Sequence, residues 1–103
     1  MGFEDVVISQ SSTEKPARTP MDAPFIEVAQ AAARDVYGRD AYLVPSMAAT
    51  GPMYHFLHDL NLPTVMAGIN YVGGRDHAPD EHVRIEDFRR GTKHIAAILW
   101  HFA

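Results

Sequence analysis

The sequence of 103 residues contains no cysteine, which excludes disulfides, thiolate zinc fingers and cysteine nucleophiles. It also lacks an apolar run of the ~18–20 residues that a membrane-spanning helix needs, and no signal peptide opens it. We therefore expect a cytoplasmic protein without a membrane partner. Basic residues are few, 9 against 13 acidic ones, so the net charge of −4 predicts no nucleic-acid partner either.

The spacing of apolar residues predicts three helices. The first covers Ala23–Tyr37, with Asp22 as N-cap and Gly38 as the residue that ends it. The second covers Pro52–Leu60 and the third Ile85–Phe102. The expected buried faces consist of Met53, Phe56, Leu57 and Leu60 in the second helix and Phe88, Ile95, Ile98, Leu99 and Phe102 in the third.

Three short segments have the composition of β-strands, namely Val6–Ile8, Tyr42–Ser46 and Pro63–Ile69. The last is almost continuously apolar, which is typical of a strand covered on both faces. A polar, proline-containing connector separates the first strand from the first helix. The alternation of helices and strands predicts an α/β fold, a layered sheet with flanking helices.

Two loops lie where open α/β sheets bind ligands, beyond the carboxyl ends of the strands. The first, Ser46–Gly51, consists of small residues and leads into a helix N-terminus, a geometry that suits a carboxylate. Thr50 either hydrogen-bonds such an anion or simply caps the helix, and its position alone favours the cap.

The second loop, Asn70–His82, is dense in potential metal ligands. Its spacing does not match the helical H-x-x-E-H zinc motif, and Pro79 forbids a helix through it. His77 is then either one ligand of a site completed by distant residues or part of a solvated loop. Of the other histidines, His55 and His58 are expected at a helix margin, and His94 and His101 at the surface or an interface.

Two motifs carry a resemblance to a known family. One is His77-Ala-Pro-Asp-Glu81, followed by Val83-Arg-Ile-Glu-Asp-Phe, and the other is the small-residue stretch Ala48-Ala-Thr-Gly-Pro52. Over about four-fifths of its length, from Thr19 onward, the chain resembles the C-terminal part of the two-zinc hydrolases. That family includes acetylornithine deacetylase, succinyl-diaminopimelate desuccinylase, aminoacylase, glutamate carboxypeptidase and carnosinase-type dipeptidases.

The resemblance implies a role for each motif. His77 would be a ligand of one of two zinc ions, with cobalt or manganese as alternative metals, and Thr50 and Gly51 would bind the substrate carboxylate. The reaction would be hydrolysis of an amide bond in an acyl-amino acid or peptide with a free carboxylate. Residues 1–12 would be the last strand of a lid and dimerisation domain, 13–21 a linker, and 22–103 the C-terminal part of a catalytic domain in a homodimer.

Two departures from the family pattern stand out. Asp80 replaces the usual asparagine, and the sequence contains neither a His-x-Asp motif nor a Glu-Glu pair. It therefore lacks the remaining zinc ligands and the general base. We expect a fragment that has no catalytic residue of its own and is inactive without the missing N-terminal part of the same polypeptide. The alternative is a non-catalytic α/β module that self-associates or binds a protein partner.

Overall fold

The computed structural model describes residues 2, 4–10, 13–49 and 51–103. Two α-helices dominate it, α1 over Pro24–Tyr37 and α2 over Ile85–Phe102. Between them lie a one-turn π-helix, His55–Asp59, and a 3₁₀ turn, Val72–Gly74. Over the residues described, no helix is both long enough and apolar enough to cross a bilayer.

Helix α1 begins and ends for local reasons. Pro24 occupies the first turn, where its missing N–H costs no hydrogen bond. The N-cap is Ala23 in an extended conformation, so the prediction of Asp22 as the cap is wrong. Gly38 takes a left-handed φ of 70° and donates its N–H to the Arg34 carbonyl at 2.8 Å, which confirms the predicted end.

Helix α2 has the bounds that its sequence pattern predicts. Glu86 and Asp87 lie in its first turn, where negative charge interacts favourably with the helix dipole. Glu86 also accepts hydrogen bonds from Arg89 at 3.0 Å and Arg90 at 2.9 Å. Such pairs at spacings of three and four residues stabilise an exposed helix surface.

The core lies between the two helices. Ala32 and Ala33 of α1 are fully buried, with 0% exposure, and Ala29 packs with Ile98 of α2. Small side chains allow the helices to approach closely. Ile98 is buried as predicted, but the other four expected inner-face residues of α2 are exposed, and this part of the prediction is wrong. These residues are Phe88, Ile95, Leu99 and Phe102.

The predicted α/β layered sheet is wrong for the part of the chain that the structure describes, because no strand occurs there and the architecture is helical. Residues 42–46 and 63–69 are irregular segments without a backbone ladder among the described residues. The physical reason is that β-structure requires a neighbouring strand. Val6–Ile8 likewise forms no strand, and Val7 is exposed.

Side chains make connections where a sheet would use backbone groups. The Gln30 amide donates to the Ala41 carbonyl at 3.0 Å and accepts the Ala41 N–H at 2.8 Å. The Thr19 hydroxyl makes the corresponding pair of bonds to Thr64. The segments are therefore held at single points rather than along their length.

The middle helix is shorter than predicted. Its regular part is the π-helix His55–Asp59, followed by Asn61 with a left-handed φ of 53°. The predicted left-handed end at Asn61 is confirmed. Phe56 and Leu60 are exposed, so the buried face assigned to this helix is wrong at both positions.

The molecule is open. Its radius of gyration is 17.4 Å, against about 13 Å for a compact domain of this length. Large apolar side chains are exposed along the whole chain, among them Val7, Tyr42, Met66 and Trp100. Exposed apolar surface on this scale is typical of a surface that other protein covers.

Candidate functional site

His77 lies in the loop between the 3₁₀ turn and α2. The loop turns at Arg75, whose carbonyl accepts the Ala78 N–H at 3.0 Å. Arg75, His77 and Asp80 all have left-handed φ values, of 58°, 59° and 64°. Non-glycine residues rarely adopt this conformation, and such residues cluster at functional sites. His77 is exposed at this point of the chain.

The two histidines of the loop differ in what their ring nitrogens contact. Both nitrogens of His82 are engaged, Nε2 with the Tyr71 hydroxyl at 2.7 Å and Nδ1 with the Asp80 carbonyl at 2.8 Å. Among the described residues, neither nitrogen of His77 has a hydrogen-bond partner. His77 is therefore the imidazole of this loop that is available to a metal ion.

The carboxylates beside His77 already have partners. Asp76 accepts a hydrogen bond from the Asn70 amide, and Asp80 one from Arg75 at 3.1 Å. The ion pair of Asp80 with Arg75 joins two residues that both have left-handed φ values. Both carboxylates thus hold the loop in shape.

Among the described residues, the donor set around His77 is smaller than a metal centre needs. Within residues 2, 4–10, 13–49 and 51–103, no group of three or more His, Cys, Asp or Glu side chains could hold a metal ion. Zinc sites use three or four protein ligands. A single available imidazole fits one ligand of a centre whose other ligands come from elsewhere, and does not fit a complete centre.

The small-residue loop contains the two residues that are predicted to bind the substrate carboxylate, Thr50 and Gly51. Thr50, a predicted carboxylate-binding residue, lies outside the described residues. Gly51 is half-buried and lines a cavity of about 630 Å³. His77 is not among the residues that line this cavity. The structure therefore does not bring Gly51 and His77 together in one pocket.

The cavity occupies the place of the predicted sheet. Its walls are the connector, one side of α1 and the two irregular segments, and His94 of α2 also reaches it. The wall residues of the two segments are Ala41, Tyr42, Leu43, Val44, Pro45, Ser46, Met47, Thr64, Val65, Met66, Ala67 and Gly68. The two segments that the sequence predicts as strands of one sheet instead line the same cavity.

The sequence predicts His94 at the surface or at an interface, and the structure places it at the interface between the two helices. It is buried at the interface of the two helices, with 7% exposure, and its Nε2 donates to the Ala29 carbonyl at 3.2 Å. The Tyr37 ring lies edge-on to it, with 5.4 Å between ring centroids. The sequence signal for this burial is Gly91, a small residue three positions before His94. Gly91, His94 and Ile98 lie on one face of α2, and all three are buried.

The other three histidines have structural partners. His55 Nδ1 lies 2.6 Å from an Asp59 carboxylate oxygen, and the His58 ring stacks on Tyr54 with 4.4 Å between centroids. Both are exposed, which agrees with the predicted helix margin. His101 Nε2 contacts Asp35 of α1 at 2.7 Å, so this histidine lies at an interface between helices.

Charge at the start of α2 is organised by hydrogen bonds. Arg89 and Arg90 donate to Glu86 and hold the pKa of its carboxyl group below the ordinary value. Arg84 donates to Asp87, which raises the pKa of the Arg84 guanidinium. These pairs link oppositely charged side chains at the start of α2, which follows the His77 loop directly.

Comparison with known proteins identifies the family. The model of peptidase family M20/M25/M40 matches residues 4–101, almost the whole chain. Searches of curated proteins and of solved structures returned no match. The match confirms the resemblance to the metal-dependent peptidases and deacylases that the two sequence motifs indicate. This chain belongs to peptidase family M20/M25/M40.

Proposed function

We propose that this chain contributes one zinc ligand and part of the substrate site to a hydrolase that cleaves amide bonds. Membership of a peptidase family supports hydrolysis. The substrate class, an acyl-amino acid or a peptide with a free carboxylate, rests on the motif of Thr50 and Gly51.

The observation that carries the proposal is the difference between His77 and His82. His77 is exposed, and neither of its ring nitrogens has a hydrogen-bond partner among the described residues. Both ring nitrogens of His82 have a partner. A metal ligand must offer an unprotonated nitrogen that is not already bonded. When bound, zinc supplies Lewis acidity toward the scissile carbonyl and lowers the pKa of a bound water.

In this proposal, the other zinc ligands and the general base come from outside this chain. A site built from His77 alone has no second ligand and no general base. We therefore expect the 103-residue chain by itself to be inactive. Two zinc ions, or cobalt or manganese in their place, would be bound together with the N-terminal part of the same polypeptide.

The exposed apolar surface supports the need for further protein. The two irregular segments and α2 expose Tyr42, Val44, Met66 and Leu99 to solvent. In the proposed arrangement the rest of the catalytic domain covers them. Trp100, the only tryptophan, is 82% exposed. Its fluorescence therefore shows whether the rest of the catalytic domain covers this surface. Its fluorescence would shift to shorter wavelength when the remaining polypeptide binds.

The same surface also favours the second candidate, a module that self-associates. The sedimentation coefficient of the 103-residue chain distinguishes the hydrolase from the self-associating module. A stable dimer without added polypeptide supports self-association, whereas a monomer that binds the N-terminal polypeptide supports the hydrolase. A homodimer of the complete enzyme is compatible with both and does not distinguish them.

The test of the hydrolase uses the polypeptide that carries this chain. We expect His77→Ala to lose bound zinc and the hydrolysis of N-acetyl-amino acids. The matched control is His58→Ala, because His58 is another exposed histidine, stacked on Tyr54 and remote in sequence from the loop. Zinc content and hydrolysis that survive His77→Ala unchanged would show that the ligand assignment is wrong.

A further inference from the structure

The loop that carries His77 is closed at its base by one residue. His82 donates its backbone N–H to the Gly74 carbonyl at 3.0 Å, which joins the two ends of residues 74–82. The His82 side chain makes the second connection, through the Tyr71 hydroxyl at 2.7 Å. His77 lies between these two ends.

The contacts of His82 determine its tautomer. The Asp80 carbonyl can only accept a hydrogen bond, so Nδ1 of His82 carries the proton that it donates at 2.8 Å. Nε2 makes the second contact of the ring, with the Tyr71 hydroxyl. One imidazole therefore connects Tyr71, at the start of the Asn70–His82 loop, with the left-handed turn at Asp80.

Tyr71 is itself fixed against α2. The Arg84 guanidinium lies over the Tyr71 ring, 4.1 Å from its centroid. Arg84 in turn donates to Asp87 in the first turn of α2. A continuous set of contacts thus runs from the rigid helix through the Tyr71 ring and His82 to the backbone at Asp80.

The loop needs such support because its backbone is unfavourable. Three non-glycine residues within six positions have left-handed φ values, at Arg75, His77 and Asp80. Such conformations are strained in non-glycine residues and persist only when the surrounding contacts hold them in place. We propose that Tyr71 and His82 are positioning residues, which hold the loop closed so that His77 is ordered before a metal ion binds.

This inference rests on the proposed role of His77 as a ligand. Ligand loops that are ordered in advance bind metal more tightly, and removal of a supporting partner lowers metal affinity by about 10–100-fold. Tyr71→Phe is the sharpest variant, because it removes the hydroxyl and keeps the ring under Arg84. Tyr54→Phe is the matched control, since the Tyr54 hydroxyl has no hydrogen-bond partner among the described residues and Tyr54 lies far from this loop in sequence.

The experiment measures the Zn²⁺ affinity of the polypeptide that carries this chain, by competition with a chromophoric chelator. Hydrogen–deuterium exchange of peptides spanning residues 70–84 is measured on the same metal-free samples. We expect Tyr71→Phe to weaken Zn²⁺ binding by about tenfold and to speed exchange within residues 74–82. Tyr54→Phe should change neither quantity.

Two outcomes contradict different statements. If His77→Ala abolishes Zn²⁺ binding while Tyr71→Phe leaves the affinity within twofold of the wild type, the positioning role is wrong and the proposed function stands. If His77→Ala retains Zn²⁺, the proposed function itself is wrong, and the positioning role fails with it. His82→Phe, which keeps a ring and loses both hydrogen bonds, should repeat the effect of Tyr71→Phe.

Discussion

The hydroxyl of Thr19 donates to the Thr64 carbonyl at 2.6 Å and accepts the Thr64 N–H at 3.1 Å. One side chain of the connector thereby makes both hydrogen bonds that a neighbouring strand would make at that residue. The contact joins positions 45 residues apart and is partly buried. It holds the segment 63–69 beside the connector.

Thr19→Val is expected to lower the free energy of unfolding by about 1–2 kcal/mol, because the substitution keeps the shape and leaves two backbone groups of Thr64 without their partner. Thr19→Ser retains the hydroxyl and should stay within about 0.5 kcal/mol of the wild type. Chemical denaturation measures both. Equal stability of the valine and serine variants would show that the contact contributes nothing.

Gly91 is the position on α2 where a larger residue meets the segment before the loop. Glycine inside a helix normally costs about 1 kcal/mol relative to alanine. Here a Cβ at Gly91 would overlap the Ile69 side chain, which is stiff because it is branched at Cβ. We expect Gly91→Ala to destabilise the chain by roughly 1–3 kcal/mol. Thermal unfolding of this variant and of Gly91→Ala with Ile69→Ala checks the cause, because the second change should recover part of the loss. A stabilised single variant would contradict the overlap.

His94 connects the two helices through a hydrogen bond and a ring contact. His94→Ala removes both and leaves a cavity, so we expect a loss of roughly 2 kcal/mol in the free energy of unfolding. His94→Phe keeps the ring beside Tyr37 and should lose less, since the Ala29 carbonyl still accepts its helical hydrogen bond. The neighbouring Lys93 is exposed, and Lys93→Ala should stay within about 0.5 kcal/mol. An equally large loss for the phenylalanine and alanine variants would show that the hydrogen bond, not the packing, matters.

Glu86 makes the first turn of α2 sensitive to acid. Its pKa is lowered by the hydrogen bonds from Arg89 and Arg90, against an ordinary value of 4.5. A lowered pKa in the folded state means that the stabilisation is complete above the unfolded pKa. It is lost as the pH falls through the folded pKa.

NMR titration of the Glu86 carboxyl group measures this directly. In Arg89→Gln with Arg90→Gln the pKa should return toward 4.5. The stability of this variant should then depend less on pH in the acid range. A Glu86 pKa that is the same in the wild type and the double variant would rule out the two arginines as the cause.

How much was predictable differs between the elements. The bounds of α2 and the end of α1 at Gly38 follow from local chemistry, since helical hydrogen bonds join residues four apart. The spacing of apolar residues predicts that Phe88, Leu99 and Phe102 are buried, and this prediction is wrong. Spacing shows that these side chains share one face of the helix, but it does not show whether another element packs against that face. His94 is the opposite case, a polar residue that is buried. Its burial depends on the close approach of α1, which the small side chains of Ala32 and Ala33 permit.

The sequence by itself determined the family, the two helices and the candidate ligand His77, because each depends on residues close together in the chain. Only the tertiary structure decided two points about the described part of the chain. The extended segments pair with no strand there, and both ring nitrogens of His82 have partners among those residues whereas neither nitrogen of His77 does. Strand pairing and the occupation of a ring nitrogen depend on which distant groups come within hydrogen-bond distance. Local spacing does not contain that information.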